Sequence, residues 1–213
     1  MYFAIEGVIG VGKTSLARLL QSAFQAELML EVFEENPFLS DFYGDRKRYA
    51  FQTQIFFLLS RYRQQREFGS QILTGDTLIA DYTFDKDSLF AHLNLEGDEL
   101  DTYNLVHNAL SERIHRPDLI VYLKVDTDIA MQRIAMRDRS YERLMEHSYI
   151  DELNQAYESF FKSYLACPVL TVDTNQLNYV AQRDHLIHVT NRIRAALLIP
   201  PFQPELPLIG GAE

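Results

Sequence analysis

One segment near the N-terminus constrains this chain more than any other. Gly7-Val8-Ile9-Gly10-Val11-Gly12-Lys13-Thr14 follows directly on the apolar run Met1-Tyr2-Phe3-Ala4-Ile5-Glu6 and precedes Ser15-Leu16-Ala17-Arg18-Leu19-Leu20, whose apolar residues recur at helical spacing. The order is strand, glycine loop, helix. The pattern G-x-x-x-x-G-K-T makes a phosphate cradle: Gly7, Gly10 and Gly12 let successive backbone N–H groups turn inward, and Lys13 and the helix N-terminus bring positive charge. Thr14 then has its hydroxyl placed for Mg²⁺, with Ser15 beside it at the helix start. A chance lysine after a glycine-rich turn lacks this flanking strand and helix.

Composition narrows what surrounds the cradle. At 213 residues and 47% hydrophobic content the chain fits one domain with a sizeable core. The net charge of −10, spread along the chain, argues against a nucleic-acid-binding surface, while a local basic pocket for small phosphates remains allowed. A single cysteine, Cys167, excludes an intramolecular disulfide and a cysteine-built zinc site, and reads as a small buried hydrophobe. The N-terminus enters a strand at once and no apolar run reaches membrane-spanning length, so a cytoplasmic enzyme without a membrane partner is expected.

Strand-like runs recur at Tyr2 to Ile5, Leu28 to Val32, Leu78 to Ala80, Leu119 to Val125 and Val169 to Val172, with long helical patterns between them. This alternation predicts an α/β fold, a parallel sheet flanked by helices. Functional loops are then expected at the carboxyl ends of the strands, where Glu31, Asp81 and Asp173 fall. The chain is expected to form one domain over 1–199, with a proline-rich tail over 200–213 that forms no regular element.

After the second strand, Glu31, Glu34 and Glu35 crowd one loop. A carboxylate facing a phosphate cradle is a candidate general base for a hydroxyl that attacks a γ-phosphate; solvated loop acids would give the same local sequence. Arg46 to Arg66 reads as one long helix with an apolar stripe of Phe51, Ile55, Leu58, Leu59 and Tyr62, and Gln54 and Arg61, seven apart, share a face. Such a pair can read a nucleobase edge or stand exposed on a surface helix. Asp81, at the end of the third strand, suits a Mg²⁺ ligand, direct or through water. Asp87 starts the next helix, where an acid favours the dipole or holds a ligand. Glu99 to Arg116 reads as a packing helix closed by Pro117, and Asp126 or Thr127 as the cap of the next one.

Arg133, Arg137, Arg139 and Arg143 form a basic cluster in an acidic chain. Spacings of four and two cannot all line one helical face, so the later arginines are expected on a lid, about 133–146, that closes over a triphosphate. A solvated charged helix is the alternative.

Together these segments resemble the deoxyribonucleoside kinase family, and more closely its bacterial deoxyguanosine and deoxyadenosine kinases, over roughly Met1 to Ile193. Glu31-Val32-Phe33-Glu34-Glu35-Asn36-Pro37 is similar to the segment that opens with the family's catalytic glutamate, with Val32 where proline is usual; the resemblance assigns the base to Glu31. Tyr43, Gln54 and Arg61 fall at the family's intervals for the 3′-hydroxyl-binding tyrosine, the base-reading glutamine and the base-contacting arginine, and Asp87 matches that arginine's partner. Asp81 inherits the magnesium role, while Tyr82 stands where relatives carry arginine: either Lys86 or a lid arginine replaces that charge, or the phosphate end is arranged differently. Arg133 to Glu142 is similar to the family lid: it implies Arg137 and Arg139 on ATP phosphates and Glu142 with Tyr43 on the 3′-hydroxyl, with Asp138 in place of glycine.

The resemblance further implies a P-loop kinase fold with a five-stranded parallel sheet between helices, a homodimer, and ATP and Mg²⁺ as donor and cofactor. The expected reaction is phosphorylation of the 5′-hydroxyl of a purine deoxynucleoside, guanine narrowly ahead of adenine. A nucleoside monophosphate kinase such as thymidylate kinase is the nearest rival; it needs a cationic acceptor site, whereas this acceptor side carries Glu31, Glu34, Glu35 and Asp41. A non-catalytic nucleotide-binding subunit is the other, opposed by the intact Lys13, Thr14, Glu31 and Asp81.

Overall fold

The computed structural model describes residues 1–203, apart from the side chains of Glu34 and of 70–74; the remainder of the proline-rich tail lies outside the described residues. Five parallel strands, β1 (Tyr2–Gly7), β2 (Glu27–Met29), β3 (Leu78–Ala80), β4 (Leu119–Lys124) and β5 (Val169–Asp173), form one sheet in the order β2-β3-β1-β4-β5. The register pairs Ala4 with Ala80 on one side and with Ile120 on the other. β1 is thus central, and the chain leaves it first toward β2 and later toward β4, which opens a crevice at its carboxyl end.

Period-two alternation divides the sheet. Phe3, Ile5, Ile79 and Val121 contribute to the main core, where Phe3 meets Phe24 of α1 (Lys13–Phe24) at 5.0 Å between ring centroids. Tyr2, Ala4, Leu78, Ala80 and Tyr82 form a second cluster with Met29, against which Phe68 packs. Phe68 belongs to α3 (Arg46–Thr74), the 29-residue helix that follows the short α2 (Leu39–Gly44). The α/β sandwich expected from the alternation of patterns is what forms. α3 packs on α4 (Lys86–Asn94) and α5 (Gly97–Ser111), and α4 on α7 (His147–Lys162); α1 instead meets α8 (Arg183–Ala196).

Several boundaries differ from the sequence pattern. β2 ends at Met29: Leu30 to Val32 are outside the ladder, and the Glu31 N–H is taken by the Asp81 carboxylate instead of a neighbouring strand. α3 runs two turns past Arg66, and α5 stops at Ser111 rather than Arg116. Neither Asp126 nor Thr127 caps α6 (Thr127–Arg137) by its side chain: Asp126 accepts from Asn175, and Thr127 donates to Asp151. α6 ends at Arg137, so Arg133 and Arg137 are helical while Arg139 and Arg143 lie beyond it. Cys167 is half-buried rather than buried. No described helix is long and apolar enough to cross a membrane.

Candidate functional site

The carboxyl edge of the sheet carries two adjoining clefts that share the glycine loop. The backbone there has the left-handed geometry glycine allows, with φ of +87° at Gly10 and +102° at Gly12. A Cβ at Gly10 would approach Ala130 O to 2.7 Å, so no other residue fits without moving backbone. Lys13 Nζ folds over the loop and donates to the Gly7 and Val8 carbonyls at 2.8 and 3.2 Å. Burial and the neighbouring Lys86 charge push its ammonium down to about 8. One cleft, about 1250 Å³, is lined by Gly10, Gly12, Ser15, Arg133, Arg137 and Tyr179.

The other cleft, about 770 Å³, holds most of the remaining candidates: Glu31, Tyr43, Gln54, Arg61, Asp81, Lys86, Arg137, Arg139 and Glu142 all line it beside Lys13 and Thr14. Thr14 donates its hydroxyl to Asp81 Oδ2, and Glu31 N donates to Asp81 Oδ1 at 2.7 Å. Burial and the Glu31 charge raise the Asp81 carboxyl above its ordinary value. A hydroxyl and one carboxylate are hard oxygen donors that suit a Mg²⁺ ion completed by phosphates and water.

Glu31 lies just beyond β2 and is gripped from both sides. Arg61 donates to Oε1, and Lys86 Nζ to Oε2 at 2.8 Å. Burial alone would raise this carboxyl; Arg61 and Lys86 overcome it and hold the group well below the usual carboxylate range. Glu35 is exposed and lines a separate groove, while the Glu34 side chain lies outside the described residues. Arg61 also forms an ion pair with Asp87, which is fully buried. Asp87 is the second residue of α4, not its first, and faces inward rather than serving the helix dipole from solvent. Gln54, two turns before Arg61 on α3, is 2% exposed. The pair is therefore on an inward face, not on a surface helix.

The loop after α6 closes the cleft from above. Asp138 adopts φ +47°, a left-handed helix end where glycine fits and Asp is tolerated. Arg137 donates to both Glu142 oxygens at 3.1 and 2.6 Å, and the Arg139 guanidinium sits 4.1 Å from the Phe33 ring centroid. Arg133 and Arg143 do not join them. Arg133 fastens α6 to Val11 O and Thr174, and Arg143 pairs with Asp138 outside the cleft. The Tyr43 ring stacks on Tyr141 at 6.5 Å, next to Glu142.

Sequence reasoning missed Phe33, Tyr141, Thr53 and Phe57 as lining residues. It also missed Glu6, a buried carboxylate that accepts from Thr83 N, Thr83 Oγ1 and Tyr157 OH. Tyr82 points away from the cleft: it is fully buried in the second cluster and donates to Gln64 at 2.6 Å. The cations beside Glu31 are Arg61 and Lys86.

The profile of the deoxynucleoside kinase family matches residues 3–198. The chain belongs to the deoxynucleoside kinase family. It is 32% identical over 202 residues to the deoxyguanosine kinase of Bacillus subtilis, spanning 92% of this chain and 98% of that one. The deoxyadenosine kinase of Dictyostelium discoideum is 37% identical over 166 residues, 76% of this chain and 66% of its own. Among solved structures, deoxyadenosine kinase from M. mycoides with bound dATP superposes with a TM-score of 0.79 at 28% identity, covering 91% of this chain and 99% of that one. As a deoxynucleoside kinase, the protein is an ATP-dependent phosphotransferase of the P-loop kinase fold.

Proposed function

We propose that this deoxynucleoside kinase transfers the ATP γ-phosphoryl to the 5′-hydroxyl of a purine 2′-deoxynucleoside, deoxyguanosine narrowly ahead of deoxyadenosine, within one catalytic domain over 1–199. The observation that carries the reading is the continuity of one cleft from Lys13 and Thr14, past Glu31, to the buried Gln54 and Arg61, with Asp87 paired to Arg61 behind the lining. A triphosphate at one end and a base at the other bring the 5′-hydroxyl next to Glu31.

Each residue then has a chemical part. Gly7, Gly10, Gly12, Lys13 and Ser15 cradle the donor phosphates, Thr14 and Asp81 hold Mg²⁺, and Arg137 and Arg139 close over the transferred group. When bound, the ion offsets phosphate charge. Tyr43 and Glu142 bind the 3′-hydroxyl, which requires Glu142 to share itself with Arg137. Arg61 donates toward guanine O6 and N7, Asp87 accepts from an amino group, and the Gln54 amide offers both functions. The deoxyguanosine and deoxyadenosine kinases among the relatives support a purine without separating the two. The family resemblance supports a homodimer, and the same reading puts the enzyme in the cytoplasm, acting on a small molecule and not on nucleic acid or membrane.

Glu31 takes the hydroxyl proton as the hydroxyl attacks. A Glu31→Gln protein tests this: we expect kcat to fall by about 10²–10⁴-fold with deoxynucleoside binding kept within a few-fold. A folded Glu31→Gln protein with unchanged turnover contradicts it.

A further inference from the structure

Lys86 is the first residue of α4, is 5% exposed, and lines the cleft. Its backbone N–H donates to Thr83 Oγ1 at 3.2 Å, and Thr83 is fixed in turn by Glu6 Oε1. The start of α4 is thus tied to β1 through a buried carboxylate. From that anchored backbone Nζ reaches Glu31 Oε2 at 2.8 Å, and it lies near enough to Lys13 for the two charges to repel. Lys86 therefore lines, with Lys13 and Thr14 of the cradle, the same cleft as the carboxylate read as the base.

The two cations on Glu31 are not equivalent. Arg61 bridges Glu31 and Asp87, so it stays anchored whichever way Glu31 turns. Lys86 pairs with Glu31 as its one carboxylate ion pair among the described residues. Its flexible stem and three donors allow it to exchange partners, which a bridging guanidinium does less readily. A triphosphate in the cradle brings a γ-phosphoryl group of higher negative charge into the same space.

We infer that Lys86 is a catalytic cation of the transfer: with donor bound, its ammonium passes from Glu31 to the γ-phosphoryl oxygens and frees Glu31 Oε2 for the 5′-hydroxyl. This rests on the reading of Glu31 as base. In the step, the 5′-oxygen bonds to the γ-phosphorus, the bond from that phosphorus to the β–γ bridging oxygen breaks, and ADP leaves with the electron pair. The hydroxyl proton goes to Glu31. Lys86 takes no part in the proton transfer and stabilises charge on the transferred group, inside a closed site where such stabilisation is strongest.

The test compares Lys86→Met, Lys86→Gln and Lys86→Arg with the unsubstituted enzyme, using Mg-ATP and its fastest deoxynucleoside, with thermal melting as the check of folding. Loss of the charge is expected to lower kcat by about 10²-fold or more with both KM values within a few-fold, and Lys86→Arg to recover at least about ten-fold. Lys86→Gln, which keeps a donor toward Glu31, decides the matter if Lys86→Met does not fold. A kcat within about three-fold in a folded uncharged variant, an effect confined to deoxynucleoside KM, or an arginine variant no better than glutamine overturns the inference. Glu31→Gln run in parallel separates the two claims. If it stays active, the reading of Glu31 fails; if it is inactive while Lys86→Gln is fully active, only the role of Lys86 falls.

Discussion

Gln54 is the cleanest probe of base recognition among the lining side chains, because it is buried, uncharged and free of the ion pairs that hold Arg61, Asp87 and Glu31 together. Gln54→Leu keeps volume but leaves the bound base with unpaired donors and acceptors. We expect KM for the deoxynucleoside to rise by about 10-fold or more, with ATP KM unchanged and a melting temperature near that of the parent. Asp87 is a poorer probe, since truncating it leaves the buried Arg61 guanidinium with Glu31 as its remaining carboxylate partner, which shifts Arg61 and Glu31 together and confounds any reading of kcat. His107 gives a separate test at this scale. It stacks between Phe84 and Tyr103, and burial lowers its pKa from 6.5. A histidine whose folded pKa is depressed favours the neutral form, so its contribution is present at high pH and is lost as pH falls through its unfolded value. His107→Phe is therefore expected to flatten the fall in melting temperature between about pH 7 and 5.5, read by scanning fluorimetry.

At the scale of elements, the glycine loop and the segment after α6 do opposite things with left-handed backbone. Gly10→Ala places a Cβ 2.7 Å from the Ala130 carbonyl at φ +87°, so the loop or α6 must shift. The expected result is a stability loss of about 1–3 kcal/mol and a fall in kcat/KM for ATP of about 10²-fold or more, checked by denaturant titration and steady-state kinetics. Elements also decide how much was legible in advance. The cradle could be read because its parts are contiguous, and the parallel sheet flanked by helices followed from alternating patterns, though the strand order did not. Gln54 and Arg61 share a face by helical period, but nothing local says that the face points inward; α4 and Asp87 settle that, through a contact 26 residues on in the chain. Tyr82 is a case where period two would have sufficed: Leu78, Ala80 and Tyr82 alternate with Ile79 and Asp81, so Tyr82 turns from the cleft that Asp81 lines. Phe33 and Tyr141 carry no sequence pattern of their own and reach the site only because the segment after β2 and the loop after α6 converge, while Glu6 stays behind it and holds Thr83.

For the whole molecule, the acidic balance and the basic cleft act together. A chain of net charge −10 concentrates Lys13, Arg61, Lys86, Arg137 and Arg139 around one cavity and satisfies most of them with its own carboxylates. Ligands that take over those cations and bind the folded state alone stabilise it by mass action, by about 2.7 kcal/mol at a hundred times Kd, and so raise its melting point. Mg-ATP and a purine deoxynucleoside together are expected to stabilise more than either alone, since Arg137 and Glu142 must rearrange for both. The most direct measurement of the central claim is kcat/KM with Mg-ATP for the four deoxynucleosides and their 5′-monophosphates, each product identified by chromatography and mass. The account predicts purine 5′-monophosphates as the main products, formed at least about ten-fold more efficiently than from the pyrimidines. Preferential phosphorylation of a pyrimidine deoxynucleoside, or of monophosphates in place of deoxynucleosides, would contradict it.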